Sequence, residues 1–148
     1  MTRVDFYILG ANAGQGREQL LCTLAGKAWR KGHRVYIHAG SGDRAQSIDE
    51  LLWTWRDISF LPHTRVGDPL AAETPILVGG GESAPGESGD DVMINLAHPV
   101  PPFFSRYERV VEIVGGDAAA RNEARERYRF YRDRGYTLNT HDVGTDHG

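Results

Sequence analysis

The sequence predicts an α/β fold: a single-domain, three-layer Rossmann-like sandwich with a mostly parallel sheet. Short apolar segments rich in β-branched residues alternate with longer segments in which apolar residues recur every three or four positions. The connections between them are short, and the strand-like segments are continuously apolar, which is typical of parallel strands covered on both faces. With 148 residues and no internal repeat, the chain has the length of one domain.

The first half of the chain predicts two strand–helix units. Residues 3–9 (RVDFYIL) and 34–38 (RVYIH) favour strands because they are rich in β-branched and aromatic residues. A three-to-four-residue apolar repeat predicts helices over 15–31 and 43–55, and the segment Ser41-Gly42-Asp43 is a candidate cap for the second helix.

The second half continues the alternation with shorter strands. Loops are expected over 56–73, which contains two prolines, and over the glycine-rich segment 79–90. Short strands are expected over 75–78, 92–96, 110–114 and 136–138. A short helix is expected to end near Tyr107. The strongest helix pattern covers 117–134, with Asp117 as its N-cap.

Composition and charge exclude several classes of function. The net charge of −3 is atypical of a general nucleic-acid-binding protein, which is usually basic throughout. Cys22 is the single cysteine, which excludes an internal disulfide and a cysteine-based zinc site. The six histidines are scattered and no segment has the length of a membrane span, so we expect a cytoplasmic protein without metal or cofactor. One domain is expected over 1–140, followed by a disordered tail over 141–148.

The glycine-rich loop from Gly10 to Gly16 lies between the first strand and the first helix, where a phosphate can bind a helix N-terminus. It matches neither common fingerprint. Counted from Gly14, the third glycine of a dinucleotide-binding motif falls on Gln19; counted from Gly10, the second glycine of a P-loop falls on Gln15. We therefore interpret the loop as a plain connection, with a nucleotide-binding or small-molecule enzyme as the alternative.

The C-terminal helix carries a concentration of arginine. Arg121, Arg125, Tyr128 and Arg132 are spaced by four, three and four residues and share one face, with Arg129 at its edge. Arginine binds carboxylates through two parallel hydrogen bonds, so arginines around an aromatic ring suit an acidic peptide with an apolar anchor. Two alternatives remain: an ordinary solvated helix face, and direct binding of single-stranded DNA.

Several segments occur together in an order that resembles a known family. They are FYIL (6–9), EQLLC (18–22), WRKGHRV (29–35), LLW (51–53), SFLPH (59–63), ARERY (124–128) and GYTLNT (135–140). In this order and over this length, the sequence resembles the chi subunit of bacterial DNA polymerase III. The resemblance implies a DNA replication accessory subunit of the DNA-directed DNA polymerase holoenzyme, with a nucleotide-binding type of fold but no catalysis of its own.

The resemblance also implies two partners and a binding site. One partner is the acidic C-terminal tail of single-stranded DNA-binding protein, which ends in a phenylalanine, so that DNA is contacted indirectly. The other is the psi subunit, which bridges chi to the clamp loader. The matching site positions are apolar or aromatic (Trp53, Phe60, Val114 and Tyr128) and basic (Arg121, Arg125, Arg129 and Arg132). Arg125 is the expected ligand of the terminal carboxylate, and the other arginines are expected to attract the tail's acidic residues.

Overall fold

The structure is a computed structural model that describes residues 2–10, 16–54, 61–81 and 91–143. In these segments, seven parallel strands form one sheet, in agreement with the predicted α/β sandwich. The strands are β1 (Arg3–Leu9), β2 (Val35–His38), β3 (His63–Arg65), β4 (Ile76–Gly79), β5 (Val92–Asn95), β6 (Arg109–Val114) and β7 (Thr137–Val143). The helices are α1 (Gly16–Arg30), α2 (Gly42–Thr54) and α3 (Ala118–Asp133), with 3-10 helices at Ala71–Glu73 and Phe104–Arg106. No helix in the described segments is long and apolar enough to cross a membrane.

The strand order is β3-β4-β2-β5-β6-β1-β7, so the first strand lies between the two strands that come last in the chain. Arg3 of β1 is the register partner of Arg109 in β6 and of Thr137 in β7, and both ladders are parallel. Parallel neighbours require crossover connections. Helix α1 lies in the crossover from β1 to β2, α2 in that from β2 to β3, and α3 in that from β6 to β7.

The helices cover the sheet on both faces. Helices α1 and α2 pack on the face that includes Val111 and Ile113 of β6, whereas α3 packs on the face that includes Val110 and Val114. This alternation follows from the two-residue period of side chains along a strand. The core consequently has two apolar layers, separated by the sheet.

Both predicted N-caps are present. Ser41 Oγ accepts a hydrogen bond from the backbone N–H of Arg44 at 3.2 Å, and Asp117 Oδ1 accepts one from the N–H of Ala120 at 2.7 Å. Gly135 follows the end of α3 with a φ of 82°, in the left-handed region that favours glycine. These local signals define where α2 and α3 begin and where α3 ends.

Two regions differ from the sequence-based expectation. The segment 56–73, expected to be mostly loop, contributes β3 and a 3-10 helix. The last strand extends to Val143, so residues 141–143 belong to the sheet and not to a tail. Strand β7 is polar and largely exposed, and backbone pairing holds it at the sheet edge, so it lacks the apolar pattern of a buried strand. Residues 144–148 and residues 82–90 of the glycine-rich segment 79–90 lie outside the described residues.

A polar cluster joins the three strands at this edge, on the α1 side of the sheet. The Nε of Arg109 in β6 donates a hydrogen bond to Asp5 of β1 at 2.6 Å, and the His141 ring of β7 lies 3.4 Å from the other carboxylate oxygen. Arg109 also donates to the Tyr7 hydroxyl at 2.8 Å. Burial alone would raise the pKa of Asp5, but Arg109, with His141 and Asn139, outweighs burial and holds that pKa below its usual value. Asp5 therefore ties β6 and β7 to β1.

Candidate functional site

An apolar depression of about 250 Å³ lies between α3 and strands β6, β1 and β7. Its lining consists of Phe6, Ile8, Val114, Ala124, Tyr128 and Thr140, with Arg121 and Arg125. Ile8 and Val114 are register partners in β1 and β6, and Phe6 is the partner of Thr140 in β7. Ala124 carries only a methyl group and leaves space between the helix and the sheet. The depression is thus built by three neighbouring strands and one helix.

The aromatic part of the depression consists of Phe6 and Tyr128. Their ring centroids are 5.4 Å apart with an interplanar angle of 58°, and Phe6 also contacts buried Tyr131 edge to face at 6.0 Å. Aromatic rings favour such tilted and edge-to-face contacts. The contacts fix both lining rings and leave an apolar surface on which a ligand ring can pack.

Two guanidinium groups flank the depression. Arg121 is partly buried and its Nη2 donates to the Leu9 carbonyl at 3.3 Å, whereas exposed Arg125 donates from Nη1 to Asn122 Oδ1 at 2.8 Å. Within the described parts of the chain, neither Arg121 nor Arg125 has a carboxylate partner. Both therefore retain donors for a ligand carboxylate beside an apolar surface.

A buried ion pair sets the orientation of α3. Arg127 Nε donates to Glu112 Oε1 at 2.8 Å, and Tyr131 and Asn95 donate to Oε2 at 2.7 and 2.9 Å. Glu112 is fully buried and Arg127 is 8% exposed. Burial raises the pKa of Glu112, and the charge of Arg127 and the three hydrogen bonds oppose that rise. Because Arg127 points to the sheet, the face that carries Arg121 and Arg125 points to the depression and to solvent.

The structure brings together four of the eight predicted site residues: Val114, Arg121, Arg125 and Tyr128 all line the depression. Arg129 and Arg132 are exposed on α3 and do not line it. Arg132 forms an ion pair with Asp133 at 3.1 Å, in which both side chains are more than half exposed. Both lie on the same helix as Arg121 and Arg125. Phe60 lies outside the described residues.

The structure separates Trp53 from the rest of the predicted pocket. It is at the end of α2, which packs against β3 and β4 on the opposite face of the sheet from α3. Its side chain is 60% exposed and its ring lies 4.8 Å from the His63 ring. Trp53 therefore does not line the depression to which Val114 and Tyr128 belong. An apolar stripe shows that a helix packs on a sheet, but it does not show which face it covers.

Four lining residues were missed by the sequence analysis: Phe6, Ile8, Ala124 and Thr140. Alternation along β1 places Phe6 and Ile8 on one face, and that signal was available in the sequence. It identifies a site only when β1 is known to lie between β6 and β7. Thr140 lines the depression because β7 extends beyond the residues 136–138 that were predicted as a strand.

The site has the chemistry to bind a ligand. Its polar groups are guanidinium groups and hydroxyls next to an apolar surface, which suits a ligand with an apolar end and a negative charge. Among the described residues, no group of three or more His, Cys, Asp or Glu side chains is placed to hold a metal ion. Cys22 is buried in α1, and burial raises the pKa of its thiol to about 12. Residues 11–15 of the glycine-rich loop lie outside the described residues.

The chain is similar to known proteins over nearly its whole length. The family model for the DNA polymerase III chi subunit, HolC, matches residues 1–139. Proteins named DNA polymerase III subunit chi from Pseudomonas aeruginosa, Haemophilus influenzae and Escherichia coli are 40%, 35% and 33% identical to it over 141, 143 and 144 residues. These matches cover 95% of this chain in each case and 96%, 96% and 97% of the relatives.

A solved structure shares the fold. A chain in the crystal structure of T4 UvsW matches 96% of this chain and 41% of its own length, with a TM-score of 0.66 and 11% identity. At that identity the likeness shows the architecture alone.

Proposed function

The chain belongs to the family of DNA polymerase III chi subunits, which are replication subunits, and we propose that it acts as an adaptor. In this proposal, which rests on the family and on the site, it binds the acidic C-terminal tail of single-stranded DNA-binding protein. In this role it has no catalytic activity of its own and works in the cytoplasm. In the adaptor role it contacts DNA indirectly, through the bound protein. The other side of the link is the clamp loader, reached through the psi subunit.

One observation carries the proposal: Arg121 and Arg125, without carboxylate partners among the described residues, flank an apolar depression of about 250 Å³. A terminal phenylalanine combines a ring and a free carboxylate on one residue. The ring fits against Phe6 and Tyr128, where its burial removes apolar surface from water and adds aromatic contacts. The carboxylate then lies within reach of Arg125.

The four arginines have different roles in this proposal. Arg125 forms the charge-assisted hydrogen bonds to the terminal carboxylate, and Arg121 supports it from its position against Leu9. Arg129 and Arg132 are exposed and attract the acidic residues of the tail at longer range. Such charges affect the association rate and its salt dependence more than the final affinity.

The expected affinity is modest. A tail that is disordered before binding loses conformational entropy when it docks, and the depression holds only one large side chain. We therefore expect a micromolar Kd, which corresponds to a binding free energy on the order of −8 kcal/mol.

A bridging subunit also needs a second surface. The depression lies on the face of the sheet that α3 covers. Trp53 is exposed at the end of α2, on the opposite face, and is our candidate contact for the psi subunit. The two partners then bind on opposite faces of the sheet and do not compete. Simultaneous binding of psi and the tail peptide in a titration supports this arrangement, and mutual displacement contradicts it.

The test of the tail site is fluorescence anisotropy with a labelled peptide that copies the tail of the host's single-stranded DNA-binding protein. A peptide without the terminal phenylalanine serves as the ligand control. Arg125→Ala is expected to abolish binding, whereas the matched control Arg129→Ala is expected to weaken it slightly and to reduce its salt dependence. Equal affinity of both peptides, or normal binding by Arg125→Ala, contradicts the proposal.

A further inference from the structure

A second depression, of about 230 Å³, lies on the other flank of α3. It opens at the carboxyl ends of β5 and β6, where Leu96, Ala97, Val114 and Gly115 line it. Its charged and polar lining consists of Arg17, Arg44, His98, Glu123 and Arg127. The tail site described above does not use any of these five side chains. We call this second depression the arginine crevice.

The topology explains why three arginines from distant parts of the chain meet here. All described strand pairs are parallel, so the helices that follow the strands begin at the same edge of the sheet. Arg17 lies in the first turn of α1 and Arg44 in the first turn of α2, on one face of the sheet. Arg127 reaches in from α3 on the other face. Open α/β sheets bind ligands at this kind of position, where consecutive helices leave the strand ends on opposite faces.

The positive charge of the arginine crevice is only partly compensated. Arg127 is paired with Glu112 at 2.8 Å and with the His98 Nδ1 at 3.0 Å. Arg17 donates a long hydrogen bond to the Leu96 carbonyl at 3.4 Å. Among the residues that the structure describes, no carboxylate forms an ion pair with Arg17 or Arg44.

The pKa of Arg17 reports the same imbalance. Burial lowers it, and the like charges of Arg44 and Arg127 lower it further, while Asp117 and Glu18 act in the opposite direction. All three guanidinium groups line the same crevice, where their like charges repel one another. An anion placed between them would relieve that repulsion.

We propose that the arginine crevice binds a terminal phosphate group. A phosphate presents several oxygens in different directions, so it can accept hydrogen bonds from guanidinium groups on three helices at once, which a planar carboxylate does less well. The volume is below the roughly 300–1,000 Å³ of pockets that enclose whole small-molecule ligands. The crevice therefore fits the phosphate end of a ligand, whether free phosphate, a mononucleotide or the 5′-phosphate of a DNA strand.

Calorimetric titrations at low salt test this proposal and separate the sources. The probes are inorganic phosphate, adenosine monophosphate, and a short single-stranded oligonucleotide with either a 5′-phosphate or a 5′-hydroxyl. Saturable binding of the first two indicates a small ligand. Binding of the 5′-phosphorylated strand with little binding of its hydroxyl counterpart indicates a DNA end. Absence of saturable binding by all probes overturns the proposal, and so does equal binding of the two strands when neither inorganic phosphate nor adenosine monophosphate binds.

Variants test where phosphate binds and distinguish the arginine crevice from the depression proposed for the tail peptide. Arg44→Gln and Arg17→Gln are each expected to weaken phosphate binding by about tenfold or more, since each removes charge-assisted hydrogen bonds. The matched control is Arg129→Gln, at an exposed arginine outside the crevice, and it is expected to leave phosphate binding unchanged. Both crevice variants are expected to bind the tail peptide normally, which also shows that they are folded. Unchanged phosphate binding by both crevice variants contradicts the assignment.

Discussion

Replacement of Arg127 by methionine tests whether the buried ion pair holds α3 in place. The substitution keeps an unbranched side chain but removes the hydrogen bonds to Glu112 at 2.8 Å and to His98 at 3.0 Å. It leaves Glu112, which is 0% exposed, without its charge partner. Loss of one partner of a buried pair costs about 3–5 kcal/mol of unfolding free energy, because the remaining charge is uncompensated.

That loss is large enough to measure. For a domain near this length, 1 kcal/mol corresponds to roughly 2–4 °C in Tm, so Arg127→Met is expected to lower Tm by about 10 °C. Urea unfolding followed by circular dichroism gives the free energy directly. The matched control is Arg129→Met, two residues away on the exposed side of α3, which is expected to change stability by less than about 0.5 kcal/mol.

A double-mutant cycle separates the pair from general disruption of the helix. Glu112→Gln alone leaves Arg127 uncompensated. The loss of unfolding free energy in the double variant is expected to be smaller than the sum of the losses in the two single variants by about 0.5–3 kcal/mol. If Arg127→Met unfolds at the same urea concentration as Arg129→Met, or if the cycle is strictly additive, the pair does not anchor α3 and this reasoning is refuted.

Three further predictions follow from individual side chains. Since the folded-state pKa of Asp5 is below its ordinary value of 3.8, its contribution to the unfolding free energy is present above about pH 4 and is lost as the pH falls through the folded-state pKa. Acid titration of Asp5→Asn is therefore expected to show a shallower loss of stability, and an unchanged slope contradicts this. The Cys22 thiol, with a pKa of about 12, is expected to react with iodoacetamide at pH 8 far more slowly in the native protein than in urea, as mass spectrometry would show. Trp53→Ala is expected to leave the affinity for the tail peptide unchanged in the anisotropy assay. A large loss of affinity would mean that the peptide contacts both faces of the protein, the α2 side as well as the α3 side.

The sequence predicted the architecture because the architecture depends on local periodicity. The short apolar strands and the three-to-four-residue helical repeats required no knowledge of the strand order. Ala124 and Tyr131 form a stripe of α3 that is buried against the sheet. Arg127 lies on the same stripe, but its pairing with Glu112 was not foreseen, since nothing in β6 marks a buried glutamate.

The parts that sequence reasoning missed depend on long-range placement. The position of Trp53 depends on the face that α2 covers, and the roles of Phe6 and Thr140 depend on the neighbours of β1 in the sheet. The arginine crevice has the same origin, because Arg17 and Arg44 meet Arg127 only through the parallel topology. No spacing along the chain indicates such meetings.

The pairing of β1 has a consequence for synthesis of the protein. Its register partners begin at Arg109 and Thr137, so during translation the first strand has no neighbour until more than two thirds of the chain has emerged. The depression that holds Phe6 and Ile8 closes only when Thr140 arrives. Contacts between the two ends of a chain form late and slowly. A nascent or truncated chain that ends before β7 therefore lacks part of the depression proposed to bind the tail peptide. Nascent chains stalled on the ribosome at increasing lengths are expected to bind the peptide only when β7 has left the ribosome.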